Sequence, residues 1–589
     1  MIRIFLVLML FSMITTNCTQ NEKVSPNQGP MDSLAVLENE VRQHFLDKDI
    51  DFRLKYGLPI LRLPDISYEH ALEEKEFTES VLSRLNRIGD EGLTEVERLS
   101  QMALRWQLEM AIEGFQYFWF KFPCIPYSNP SLGTVERVFT QHPFKEAQDL
   151  ETYRSLLEQY ALLIQAVHSH YQEQADRGIL MPQAQLDLVI PMFQAFNKPL
   201  AMSPLVVLDD RLTELEPKAV AQFQTTVAMI INKEIQASFD KFIAYLSGPY
   251  REKAPETVGL SQYPNGKACY KYWVRYYTTL ELSPEEIHAR GIEAVGLLNE
   301  KIDGIQAQMK FNGSRTLFRD WLKTDPRFFA TSPEEIGEKL MNYITRLEPQ
   351  VDRFFSMQPT APYGVERLPA ALEGSMTFGY YQWPTVANPK GHYLYNGSNL
   401  KDRSLLTAAS LIYHELVPGH HFQIATQYEI EGISDFRRDS FHTAYTEGWA
   451  EYASGLAWEM DGYDTLEDQL GRYFSEMFFA VRLVVDTGMN ALGWSREKAM
   501  AFMAENLLES DLQIQTESLR YSVPIPGQAL AYRIGAEKIR ELRARAQSTL
   551  GDRFDIRKFH RAVLENGSLP LSVLEQRIDW FIETERAMR

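Results

Sequence analysis

His414 and Glu415 stand side by side, and two further imidazoles follow at His420 and His421. A histidine followed at once by glutamate on a helix opens the zinc-peptidase signature H-E-x-x-H. There, histidines four apart share a metal and the glutamate activates a water. Here Pro418 occupies the place of the second histidine. On an unbroken helix His420 would lie about 240° around from His414 and roughly 9 Å along the axis, and His421 about 10 Å away, too far to share an ion. Pro418-Gly419 offers a remedy. Pro418 has no N–H to give the His414 carbonyl, and its ring clashes with that carbonyl. Gly419 tolerates dihedrals that other residues avoid. Two residues looped outward would restore His420 to the place of an i+4 histidine and leave His421 pointing elsewhere. A helix that merely ends in a histidine pair is the alternative reading, and it gives no reason for Glu415.

A catalytic zinc site usually takes three protein ligands and one water. Downstream, Thr446-Glu447-Gly448-Trp449-Ala450-Glu451-Tyr452 puts two carboxylates on one helical face, one turn apart. Either could complete a His-His-Glu set around one Zn2+ ion. Gly448 would let another backbone come close, which favours Glu447. Two acids at this spacing also describe a solvated face, a poorer description between Trp449, Tyr452 and Trp458.

The elements that must position these groups read as helices. Apolar residues recur at helical spacing over 94–120, 146–174, 218–246 and 285–310. Ser283-Pro284-Glu285-Glu286 and Ser332-Pro333-Glu334-Glu335 predict helix starts, with Ser as N-cap, Pro in the first turn and Glu reaching back. Aromatic and turn residues between 368 and 396 predict strands just before the histidine motif, and 521–527 reads as irregular. The expected class is therefore mainly α with a small β element. A soft boundary near 248–266 would divide a helical region, 31–260, forming one cleft wall, from a catalytic region, 261–589. One continuous domain is equally compatible.

At this point the sequence resembles the bacterial domain-of-unknown-function 885 family. The resemblance rests on His-Glu-x-x-Pro-Gly-His-His-x-Gln from His414, on Glu447-Gly448-Trp449-Ala450-x-Tyr452, and on Arg520-Tyr521 with Pro526-Gly527-Gln528-Ala529-Leu530-x-Tyr532-x-x-Gly535. It spans nearly the whole mature chain. It implies a zinc metallopeptidase with the architecture of helical, deep-cleft carboxypeptidases and oligopeptidases, a zincin-like fold. It assigns His414, His420 and Glu447 as metal ligands and Glu415 as base. Ser454 departs from the acid often found seven residues after the Glu447 position. Glu451 stands where the family is commonly apolar, which weakens it as a ligand. The tetrahedral oxyanion needs a donor besides the metal. Tyr521, Tyr532 and Arg520 are candidates, with Tyr521 preferred. Arg520 could instead hold a substrate carboxylate, and the strand near 393–396 could align an extended peptide, placing Tyr532 and Asn396 in the substrate site with Arg520.

Composition bounds the remainder. Among 589 residues 45% are hydrophobic and 24% charged, with a formal net charge of −19. Basic residues are scattered, so no nucleic-acid partner is expected. Arg3, the apolar run 4–14 and Thr15-Thr16-Asn17-Cys18 read as a secretory leader, too short to span a bilayer. Cys18 stands where a bacterial lipoprotein is cut and lipidated, although Asn17 is an imperfect box residue, and simple secretion is the alternative. Residues 19–30 read as a tether. A lipid anchor would be the chain's sole membrane contact, at the periplasmic or outer-membrane surface. Cys124 and Cys269 read as two buried thiols or one disulfide. A single Glu285-x-x-His288 lacks the second copy that di-iron bundles need. No G-x-S-x-G elbow or P-loop string occurs. The leading expectation is zinc-dependent hydrolysis of short peptides, of carboxypeptidase or dipeptidyl-carboxypeptidase type. The alternative is an exported, non-catalytic binding lipoprotein whose metal site is structural or lost.

Overall fold

The computed structural model describes residues 30–126, 132–373, 379–385 and 388–588. The leader, Cys18 and nearly all of the tether lie outside the described residues. The fold is mainly helical. The helices that frame the site are, in chain order, α1 (Pro30–Lys48), α2 (Glu95–Gly114), α3 (Gly266–Thr278), α4 (Pro284–Gln308) and α5 (Pro333–Leu347). After the strands come α6 (Ala408–Glu415), α7 (His420–Glu429), α8 (Thr443–Leu456), α9 (Leu466–Asn490), α10 (Asp511–Ser522) and α11 (Ala531–Leu550).

The start of α4 carries the expected capping box: Ser283 Oγ accepts from Glu286 N, and Glu286 accepts from Ser283 N at 2.8 Å. The start of α5 differs by one residue. Ser332 caps Glu335 N, but the Glu335 carboxylate reaches past it to Thr331 N at 2.7 Å. The long pattern over 218–246 is interrupted by one π turn, Ile231–Ile235.

The strands form one small sheet of order β1-β3-β2, with β1 (Tyr363–Arg367) parallel and β2 (Tyr380–Gln382) antiparallel to the central β3 (Gly391–Tyr395). β1 precedes the window in which strands were expected. Irregular backbone begins only after Tyr521, which lies inside α10.

The cores cross the soft boundary. The buried residues of one apolar cluster lie between Ile50 and Ala254, with Ile525 packed against them, and another cluster joins Met110 and Tyr117 to Tyr272, Leu483 and Ile534. Cys124 and Cys269 are free and buried. Where α8 crosses α11, Gly448 meets Gly535 so closely that a Cβ on either would overlap the other's backbone. Gly448 thus does what its place beside Glu447 suggested, and the crossing sets Tyr532, one turn before Gly535, over the face that carries Glu447.

Candidate metal centre

The break between α6 and α7 builds the site. α6 ends at Glu415, residues 416–419 loop out through a cis Val417–Pro418 bond, and α7 begins at His420. Gly419 crosses the end of α6 where a Cβ would overlap the His414 carbonyl, so no larger residue fits. Trp449 Nε1 donates to the Pro418 carbonyl at 2.9 Å and pins the loop to α8. The His414 and His420 rings consequently meet edge to face, 4.7 Å between centroids. His421 does point elsewhere: its Nε2 bonds the Ala361 carbonyl at 3.0 Å and its Nδ1 faces the Tyr381 hydroxyl at 2.9 Å. The carbonyl can only accept, so Nε2 carries the proton and Tyr381 donates to Nδ1. His421 thereby ties edge strand β2 to the metal motif.

Glu447 completes the group. Its Oε2 lies 3.1 Å from His420 Nε2 and 3.5 Å from His414 Nε2, and one donor atom from each of the three residues falls within 4.8 Å of the others. Among the described residues Glu447 Oε2 is buried without a hydrogen-bond partner, as is the Nδ1 of each histidine. An orphaned buried carboxylate oxygen facing two imidazole nitrogens calls for a cation, and two nitrogens with one oxygen suit a divalent transition metal with a position left open.

The surrounding charges are ordered by burial. Burial disfavours ionised Glu447, but His420 and His414 more than offset it and hold its carboxyl far below the ordinary range. Glu415 differs. Burial raises its pKa, the two imidazoles pull it only partly back, and the Glu447 charge raises it further. Such a carboxyl takes up a proton more readily than an exposed one.

Glu451 is not free to bind a metal. Arg472, wholly buried on α9, donates to it from Nη2 at 2.6 Å and from Nη1 at 3.2 Å. Its Oε2 lies 3.9 Å from His414 Nδ1, behind that ring. Ser454 joins the same network, accepting from Arg472 Nη1 at 3.0 Å and donating to the Ser410 carbonyl at 2.9 Å.

On the open side the rings of His414, Phe479 and Tyr532 lie nearly parallel. Arg482 covers Tyr532 at 4.9 Å and pairs with Glu517 at 3.0 Å. Arg520 donates to Gln528 at 2.6 Å, and Gln528 faces the Tyr532 hydroxyl at 3.4 Å. Burial raises the Tyr532 pKa and the Glu447 charge adds to it. Two expectations are corrected. Tyr521 is fully buried and its hydroxyl accepts from Arg482 Nε at 2.6 Å, so it braces Arg482 and cannot meet substrate. Asn396 is also buried. Its Nδ2 donates to the Glu373 carbonyl at 2.7 Å and its Oδ1 accepts from Ser398, so it shapes a turn. Nor can β3 pair with a peptide, because β1 and β2 fill both its sides.

The family model described as "Bacterial protein of unknown function (DUF885)" matches residues 53–578. The chain belongs to this family. Two solved structures share the fold. One, described as a "putative lipoprotein" from Colwellia psychrerythraea, is 25% identical over 94% of this chain and 100% of that one, with a TM-score of 0.83. The other, a "putative lipoprotein of unknown function" from Shewanella oneidensis, is 17% identical over 92% and 99%, with a TM-score of 0.72. No curated protein matches. In this DUF885 chain sequence reasoning missed Arg472, Phe479 and Arg482, all on α9. Buried arginines on an amphipathic helix read as surface, and the only signal was their spacing from Glu476 and from one another.

Proposed function

We propose that this chain hydrolyses peptide bonds in short peptides, using one zinc ion held by His414, His420 and Glu447. The observation that carries this reading is Glu415: a structural metal site needs no carboxylate beside its first histidine, and this one is half-buried, with its pKa raised next to the three donors. When bound, zinc would act as a Lewis acid, acidifying a water and polarising the scissile carbonyl. Glu415 takes the proton from the attacking water and passes it to the leaving amine. Tyr532, kept protonated by its raised pKa, donates to the developing oxyanion. Arg520, half-buried, bonded to Gln528 and 3.5 Å from a Glu517 carboxylate that it shares with Arg482, serves as counter-ion for a substrate carboxylate, which favours cutting near a C-terminus. Among the described residues β2 pairs with β3 alone, and its outer edge is where we place an extended substrate.

The two lipoprotein-named neighbours and the leader ending at Cys18 support export and lipid anchoring. No helix among the described residues is long and apolar enough to cross a membrane. The test is metal analysis followed by cleavage of a mixed short-peptide pool, with and without chelator, in the wild type and in Glu415→Gln. The substitution should keep the metal and lower cleavage by about 10²–10⁴-fold. Undiminished cleavage would move the chemistry elsewhere. A zinc-loaded wild type that cuts nothing would leave a binding protein.

A further inference from the structure

A second recess opens at the N-terminal end of α8, with a volume of about 450 Å³, within the usual range for ligand pockets. α1, α2, α3 and the residues leading into α8 close around it. Its wall is dominated by Phe45, Trp106, Tyr276, Tyr277, Phe441 and His442. Three of these rings leave much of their surface open: Phe441 is 60% exposed, Phe45 42% and Tyr276 40%. Aromatic rings carry a large apolar area, and here they converge on one cavity.

The charged groups of the wall are engaged within the protein, which leaves Gln107 among its uncharged polar groups. Arg42 Nε donates to Asp439 at 3.1 Å, Lys55 reaches the same carboxylate at 2.8 Å, and Asp49 caps the Phe52 N–H at 2.9 Å. His442 bonds Ser568 at 3.1 Å and lies edge-on to Trp106, 5.3 Å between centroids. Burial, helped by nearby Arg437, holds its pKa down to about 3, so the imidazole is neutral. Paired charges and a neutral ring offer little to an ion and much to an uncharged flat group.

The recess lies one helical turn from the metal centre. Thr443 lines it, and Glu447 follows four residues later on the same face of α8, about 6 Å along the axis. Tyr277, on its other wall, lies within electrostatic reach of Arg520. We propose that this recess is a substrate subsite for a large uncharged aromatic side chain, one helical turn from Glu447. The proposal deepens the peptidase reading and takes its occupant from it: short peptides rich in phenylalanine, tyrosine or tryptophan are the preferred class.

Isothermal titration of the full, zinc-loaded Glu415→Gln chain tests this with tetra-alanine, its four single-phenylalanine analogues and the matching glutamate analogues. At least one phenylalanine peptide should bind about tenfold or more tighter than tetra-alanine. Phe441→Ala, placed at an exposed ring so that the fold is spared, and Trp106→Ala should each abolish that preference and leave tetra-alanine unchanged. Equal binding or no binding of all peptides, a glutamate preference, or a phenylalanine preference that survives both substitutions overturns the proposal. Wild-type cleavage is scored separately. Cleavage without a phenylalanine preference removes the subsite and keeps the peptidase. A phenylalanine preference lost in both variants, without cleavage, does the reverse.

Discussion

Two Pro-Gly connections bring side chains to the centre of this molecule, and they are held in different ways. Pro418-Gly419 delivers His420, and Pro526-Gly527 precedes the helix that delivers Tyr532. Gly419 has an ordinary φ of −83° and is needed because it crosses the His414 carbonyl. Gly527 has a φ of +84° and is needed for conformation, with its nearest neighbour, the Trp273 backbone, 3.3 Å from a Cβ built there. The first turn is pinned by neutral bonds, chiefly Trp449 to Pro418. The second hangs on a buried carboxylate: Gly527 N donates to both oxygens of Asp486 at 3.0 Å, and Tyr270 donates to it at 2.6 Å. His420, the proposed metal ligand, is thus placed by shape and Tyr532, the proposed oxyanion donor, through a titratable group, so pH should act on one and not on the other.

The largest effect follows from that carboxylate. Burial raises the Asp486 pKa to about 7, against which its hydrogen bonds pull only partly. The native state therefore holds a proton that the unfolded chain releases near pH 4, so this group costs stability progressively as pH rises from about 4 to 7, and not further above that. The full span is up to about 4 kcal/mol. Asp486→Asn imitates the protonated form. Urea unfolding at pH 5 and pH 8 should show the wild type losing stability relative to this variant as pH rises. Parallel curves would return both turns to one class.

Next in size is Gly419→Ala. The overlapped atoms belong to the backbone and cannot swing aside, so the cost should be about 3 kcal/mol or more, with zinc affinity lost alongside. Metal titration and thermal unfolding would read both. A variant that folds and binds zinc normally would show that the loop does not need to pass over His414.

Tyr532→Phe should lower kcat by about 10²-fold, near 2.7 kcal/mol, with zinc affinity unchanged. Tyr521→Phe, a hydroxyl removed from Arg482, should act mainly on stability, by about 1 kcal/mol. If the two exchanged behaviours, the assignment of the donor to α11 would fall.

The same contrasts mark what was legible in the chain. The helix breakers at 418 and 419 were legible because steric rules act on neighbours in the chain, and they led to His414 and His420. Glu447 and Glu451 could not be separated by spacing alone. What divides them is Arg472, from a helix that pairs with Glu451 only in three dimensions. Tyr521 and Tyr532 looked alike for the same reason: which face of α10 or α11 is inward depends on where those helices cross α9 and α8. The aromatic recess draws on Phe45, Trp106, Tyr276 and Phe441, which no local pattern joins. Capping chemistry, being local, predicted the α4 start fully and the α5 start to within one residue.

Gly527→Ala separates the two turns most cleanly. Gly527→Ala places an L residue at φ +84°, which costs about 1–2 kcal/mol. The added Cβ also presses on the Trp273 backbone at 3.3 Å, which must give by a few tenths of an ångström. The metal donors sit on α6, α7 and α8 and do not depend on this turn, so zinc affinity should hold. Tyr532 stands in the first turn of α11, joined to Gly527 only through Gln528, Ala529, Leu530 and Ala531. Any relaxation at Gly527 therefore tilts the phenol first. Cleavage should thus fall while zinc titration stays flat, the opposite pairing from Gly419→Ala, where the two fail together. Loss of zinc in Gly527→Ala would mean that one connected shell, and not two separate turns, holds the centre.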